Sequence, residues 1–111
     1  MEFSESLKEN FEFRRLYARG RSAAGRHIVL YARRRQTGRN RVGITVSAKL
    51  GHAVRRNRVR RRLREAYRLN EGRFSRGVDL VIVVRGRGMD APYRVLETEL
   101  LELAGRLELL V

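Results

Sequence analysis

Cysteine is absent from the 111 residues, which removes disulfide staples, thiol catalysis and cysteine-bound zinc together. Only two histidines are present, His27 and His52, too few for a histidine-built metal site. Tryptophan is missing, and proline occurs once, at Pro92. The longest apolar run, Leu80-Val81-Ile82-Val83-Val84, falls far short of the roughly 20 residues that span a bilayer. The opening Met1-Glu2-Phe3-Ser4-Glu5 is acidic and lacks the basic-then-apolar order of a secretory signal, so a cytoplasmic protein with no membrane partner is expected. Lysine is confined to Lys8 and Lys49, and between Arg14 and Arg68 the only acid is Glu65.

What fills those gaps is arginine. The chain carries 26 Lys+Arg against 12 Asp+Glu, a formal charge of +14, and 24 of the basic residues are Arg. Nineteen basic residues lie between Arg14 and Arg68, while both ends are mildly acidic. Lysine would serve solubility equally well. Arginine adds bidentate phosphate geometry and stacking on bases, which suits RNA or DNA. A GC-rich genome would explain the ratio of Arg to Lys but not its segregation along the chain. The segregated positive charge points to a nucleic-acid partner. At 42% hydrophobic residues the chain can still bury a core, and its length fits one RNA-binding domain over residues 1–111.

Hydrophobic spacing gives a coarse order of elements. Phe13, Leu16 and Tyr17 recur at i, i+3, i+4 after Asn10, which predicts a short helix that Gly20 ends. Residues 26–32 read as a strand, with a short extra strand near Arg21–Ala24, and Arg33 to Arg41 as an exposed loop. Val42, Ile44 and Val46 alternate with Gly43, Thr45 and Ser47, as in a half-buried strand. A second helix follows over roughly 52–70, then an apolar central strand at 78–84. Asp90 and Pro92 open a third helix, with Leu96, Leu100, Leu103, Leu107 and Leu110 on one stripe. The expected fold is an α/β (α+β) two-layer sandwich in the order α-β-β-α-β-α, with a small, mixed or mostly antiparallel sheet.

Residues 55–68 carry the most information. At 100° per residue, Val59, Leu63, Ala66 and Tyr67 gather on one side, and Asn57, Arg60, Arg61, Arg64 and Arg68 on the other. Like charges at i, i+4 along Arg56, Arg60, Arg64 and Arg68 oppose the helix unless an anion answers them. A merely solvated helix leaves that cost unanswered. A membrane-surface or calmodulin-type helix would need the narrow apolar stripe that the core also needs.

This stretch, Ala53-Val54-Arg55-Arg56-Asn57-Arg58-Val59-Arg60-Arg61-Arg62-Leu63-Arg64-Glu65, resembles the signature of the bacterial ribonuclease P protein component, centred on the triplet Arg56-Asn57-Arg58. Asn10 to Tyr17 is similar to that family's first helix, Arg41 to Ser47 to its strand before the signature, and Asp79 to Arg85 to its late apolar strand. The resemblance implies a small subunit that joins a catalytic RNA to remove the 5′ leader from precursor tRNA, with magnesium held mainly by the RNA and its substrate. It implies a left-handed β-α-β crossover around the signature helix. It implies RNA-subunit contacts by Arg56, Asn57, Arg58, Arg60, Arg61 and Arg64, to which Arg68 is added as an extension along the same face. The leader cleft would be lined by Phe13, Tyr17, Tyr31 and Thr45, with Lys49 near its end. Aromatic faces there would stack bases of varied leaders; ordinary core packing is the alternative, most of all for Phe13. The chain departs from the family's pattern at Ala48-Lys49, where two Lys are frequent, at His52, where Asn is usual, and at Arg62, which makes the helix more basic.

A protein nuclease would need an acid–base pair or clustered carboxylates. Asp79, Asp90 and Glu65 are far apart in sequence, neither histidine has an evident partner, and no phosphate-binding glycine loop or nucleophile elbow occurs. No catalytic residue is therefore assigned to the chain, and no cleavage is expected from it alone. Two other classes fit the composition: a ribosomal-type RNA-folding protein, and a DNA binder using the basic helix in a major groove. The second would want a dimerising heptad or a helix-turn-helix pair, and neither is present.

Overall fold

Seven consecutive residues, Val78–Val84, alternate between two buried faces and form the central strand of the sheet. The computed structural model describes residues 4–6, 10–35 and 38–111. In chain order the elements are β1 (Ser4–Ser6), α1 (Asn10–Arg19), β2 (Arg21–Ala24), β3 (Ile28–Arg34), β4 (Asn40–Thr45), α2 (Ala53–Asn70), β5 (Val78–Val84) and α3 (Tyr93–Arg106). The five strands lie in the order β1-β4-β5-β3-β2. β5 pairs parallel with β4 and antiparallel with β3, so that Ile82 faces Ile44 on one side and Leu30 on the other. β1 is parallel to β4 and β2 antiparallel to β3, which makes the sheet mixed.

Even-numbered residues of β3, β4 and β5 point to the face covered by α2 and α3. There Leu30, Leu80 and Ile82 pack with Val59, Leu63, Leu96, Leu100 and Leu103, all fully buried. The opposite face carries a smaller cluster, in which α1 sets Leu16 on Val81, with Phe13, Tyr31 and Val83 around it. Gly20 ends α1 because the chain passes too close for a side chain: a Cβ would sit 2.5 Å from the Leu16 carbonyl oxygen and 2.9 Å from that of Ala32. The expected α+β sandwich is borne out, with α1 as an extra, partial layer.

The hand of the β4–α2–β5 crossover follows from the ladder. Arg85 N–H donates to His27 O and Arg35 N–H to Gly77 O, so the odd-numbered residues of β5 turn their amides toward β3. The odd residues Val81 and Val83 carry their side chains to the α1 face. For L-residues, strand direction, amide direction and side-chain direction together fix which way the sheet order runs. With α2 on the face away from α1, the crossover is left-handed, against the right-handed rule that roughly 98% of such connections obey.

Three expectations need correction. The first strand of the chain is β1 (Ser4–Ser6), which the element order omitted. The strand expected at residues 26–32 begins two residues later, at Ile28, and runs to Arg34. The loop expected from Arg33 to Arg41, part of which (residues 36–37) lies outside the described residues, is cut short by Asn40. That side chain is buried, donates to Tyr67 Oη at 3.3 Å and Ser75 O at 2.8 Å, and accepts Val78 N–H at 3.0 Å. It closes the β4–β5 edge where a loop residue would have faced water.

Candidate nucleic-acid interface

The apolar stripe of α2 docks as its periodicity predicts: Val59, Leu63, Ala66 and Tyr67 are buried, and eight Arg against one Glu remain for the rest of the helix. Their guanidinium groups are not equivalent. Arg55 pairs with Asp90, and Arg62 reaches Met89 O at 3.4 Å. Arg68 is held by Glu65 through bonds of 2.9 and 2.5 Å, and these bonds keep the Glu65 carboxyl below the usual carboxylate range. Arg60 donates to Asn57 Oδ1 at 2.9 Å. Arg61 and Arg64 are exposed and make no hydrogen bond or ion pair among the described residues. Arg58 is likewise exposed and reaches Asp90 only through its field. Arg56 is half-buried, with its Nε enclosed.

Beside this face runs a groove. Among the described residues, β1 accompanies β4 only as far as Val42, and the following stretch of β4 is an open sheet edge. α1 stands on one side of that edge and α2 on the other. The resulting groove, about 550 Å³, is lined by Phe13, Arg14, Tyr17, Ile44, Thr45, Val46 and Arg60. Through Phe13, Ile44 and Arg60 it continues into a smaller hollow of about 190 Å³ that also touches Ser6, Val42, Gly43, Arg64 and Tyr67. The Tyr67 hydroxyl at the bottom meets Ser4 Oγ at 2.7 Å, and burial pushes its pKa up.

The predicted leader residues come together in part. Phe13, Tyr17 and Thr45 line the groove, with Tyr17 Oη 3.5 Å from Thr45 Oγ1. Tyr31 stands behind them, edge to face with Tyr17 at 4.9 Å between ring centroids. Phe13 does two things at once, packing on Leu16 and Val81 while forming wall. Lys49 is exposed on the 3-10 turn Ala48–Leu50 that follows β4, outside the groove lining. Arg60, read from the helical wheel as part of the outward basic face, also forms the α2 wall of the groove. Arg14, Ile44 and Val46 line it too. Arg14 could have been found one residue after Phe13 on α1, whereas Ile44 and Val46 read in sequence only as buried strand positions.

Elsewhere the acids are committed to structure. Asp79 is buried, takes two 2.8 Å bonds from Arg41 and lies 2.9 Å from Arg35 Nε. Glu99 accepts the backbone N–H groups of Arg26, His27 and Ile28 at 2.8–2.9 Å, with His27 Nδ1 at 3.2 Å. Burial works against its charged form, but these donors outweigh it and hold its pKa below the usual value. Among the described residues no group of three or more His, Asp or Glu is placed to hold a metal. None of the described helices is long and apolar enough to cross a membrane.

Comparison with known proteins agrees over nearly the whole chain. Residues 1–108 match the family model described as Ribonuclease P. The ribonuclease P protein component of Pelotomaculum thermopropionicum is 43% identical over 109 residues, covering 98% of this chain and 97% of its own. That of Alkaliphilus metalliredigens is 37% identical over 110 residues, with 99% of both chains covered. The structure of the Staphylococcus aureus RNase P protein superimposes with a TM-score of 0.86 at 28% identity, over 96% of this chain and 97% of that one.

Proposed function

The chain belongs to the ribonuclease P protein family, and on that footing we propose that α2 binds the catalytic RNA while the neighbouring groove holds the single-stranded leader of precursor tRNA. Membership makes it an RNA-binding protein subunit of a ribonucleoprotein endoribonuclease of tRNA processing. The division of labour within the subunit is our reading. Arg56, Asn57, Arg58, Arg60, Arg61, Arg64 and, more weakly, Arg68 contact phosphates of the RNA subunit. Phe13, Tyr17 and Thr45 receive the leader, with Tyr31 bracing Tyr17 from behind and Lys49 beyond the groove's end.

The observation that carries this reading is the groove itself. One wall offers aromatic rings, the other a guanidinium, and between them lies a sheet edge, a combination that suits unstacked bases on a phosphate backbone. Stacking on Tyr17 makes little distinction among bases, as a set of varied leaders requires. Arg60 belongs to both surfaces, so RNA subunit and leader would meet at one side chain.

Cleavage is assigned to the RNA, with magnesium held mainly by RNA and substrate. The protein's part is to raise substrate affinity and to lower the magnesium needed, by placing positive charge beside the phosphates.

The test is leader removal from a precursor tRNA by a bacterial ribonuclease P RNA at low magnesium, with and without this protein. A large rise with protein, and no cleavage by protein alone, is expected. Intact RNA binding without any rise would leave a ribosomal-type RNA-folding role instead. Cleavage by the protein alone would overturn the assignment of catalysis.

A further inference from the structure

A second arginine cluster lies at the opposite edge of the sheet. β2 is the outer strand there, three strands away from the open edge of β4. A pocket of about 210 Å³ is ringed by Arg19, Arg21, Arg33 and Arg34 and floored by Ala32, Leu107 and Leu109. Two of these arginines are already anchored. Arg21 Nη1 donates to Leu107 O at 3.4 Å and Arg34 Nη2 to Glu108 O at 2.6 Å, both at the C-terminal end of α3, and both side chains remain exposed. Arg19 and Arg33 make no hydrogen bond or ion pair among the described residues. Glu108, adjacent in sequence to the floor, is the nearest acid along that segment.

Four guanidinium groups around one small pocket repel one another, and the carbonyls of α3 answer only two of them. The chemistry that answers the rest is a phosphate. The floor is aliphatic and the ring holds no aromatic side chain, so the pocket lacks the broad stacking face that Tyr17 gives the groove. Backbone-only recognition suits structured RNA rather than a single-stranded leader.

We propose that the pocket between β2, β3 and the end of α3 is a second phosphodiester site, which grips the backbone of the RNA subunit at the edge of the sheet opposite the groove. The inference rests on the reading of this chain as an RNA-subunit binder. Its consequence is an RNA that reaches both edges of the sheet.

The experiment compares two double variants, Arg19→Ala/Arg33→Ala and Arg61→Ala/Arg64→Ala. Each is titrated with a bacterial ribonuclease P RNA at two salt concentrations, after a thermal melt has shown the fold intact. Arg19 and Arg33 are chosen because Arg21 and Arg34 also hold α3. About tenfold weaker binding by the first variant is expected, with a salt slope shallower by about two, and with most of the loss restored by Arg19→Lys/Arg33→Lys. Precursor-tRNA affinity of the complex assembled at saturating protein stays unchanged. Unaltered RNA-subunit affinity in the first variant, while the α2 variant weakens, overturns the second site alone. Unaltered affinity in both overturns the α2 assignment with it. A loss confined to the precursor-tRNA titration shows that the substrate, not the RNA subunit, occupies the pocket, and overturns the proposal as stated.

Discussion

Tyr31 holds Tyr17 edge to face, with the ring planes at 74°, and so fixes the aromatic wall of the groove from behind. Tyr17 is 41% exposed while Tyr31 is half-buried, so one ring offers its surface and the other sets its angle. Tyr17→Ala is expected to lower the preference for precursor over mature tRNA by about tenfold, the scale of one lost base stack. Tyr17→Phe keeps most of it. Because the two rings touch, Tyr31→Ala combined with Tyr17→Ala should cost less than the sum of the single losses, which a double-mutant cycle on the two affinities would read directly.

Arg60 and Arg61 are neighbours with different surroundings. Arg60→Ala is expected to weaken both RNA-subunit and precursor-tRNA binding, since it stands in the groove and on the basic face. Arg61→Ala affects only the first titration. Each should reduce the salt slope of RNA-subunit binding by about one. Neither belongs to the buried stripe of Val59, Leu63, Ala66 and Tyr67, so the thermal midpoint stays within about 2 °C, the range of ordinary surface substitutions. If either variant melted the protein, the orientation of α2 would be wrong.

Arg68 is the weak member of the basic face because Glu65 already occupies its fork. Arg68→Ala is expected to reduce RNA-subunit affinity less than Arg61→Ala does. Glu65→Gln removes the competing anion and raises the affinity, an increase that Arg68→Ala in the same chain abolishes. Filter binding of these four variants beside the native protein decides it.

Much of this site was legible in the amino-acid order. α2 was readable because a 3.6-residue period and eight arginines point the same way, and β5 because seven apolar-rich residues in a row suit a strand buried on both faces. The groove was readable only in part. A helical wheel puts Arg60 at the margin of the basic face, about 100° from Val59, but does not say that α1 stands opposite it across the edge of β4. β1 went unread because Ser4–Ser6 has no apolar alternation at all; what makes it a strand is its pairing with residues 36 positions away. Asn40 reads as a loop residue because asparagine favours turns, while its structural task, joining Tyr67, Ser75 and Val78, depends on residues that only the fold assembles.

Acid stability should pass through Glu99. Its folded pKa lies below the ordinary carboxylate value of 4.5, so its contribution is present above that value and is lost as the pH falls through the lower folded one. At neutral pH, Glu99→Gln is expected to cost about 2 kcal/mol, the scale of charge-assisted hydrogen bonds to backbone amides. The gap to the native protein should narrow steadily below about pH 5. Urea titrations at a series of pH values would measure it, and a constant gap would rule out ionised Glu99 as the source.

The end of α3 offers a stabilising substitution. Glu108 has φ of 58°, the left-handed position that follows a helix, where Leu109 N–H returns to Ala104 O and Glu108 N–H to Gly105 O. A non-glycine residue there costs about 1 kcal/mol, so Glu108→Gly is expected to raise the thermal midpoint by about 4 °C. The Arg34 bond survives, because it goes to the main-chain carbonyl.

The left-handed crossover has a consequence beyond its rarity. Had the chain turned the other way between β4 and β5, α2 would have landed beside α1, and the outer margin of β4 would be fenced on one flank only. Because it turns as it does, the two helices stand back to back across the sheet's rim, and the rim becomes the floor of a trench with a wall from each layer. A reversal of handedness is thus what turns the exposed margin of a small sheet into a channel walled on both flanks.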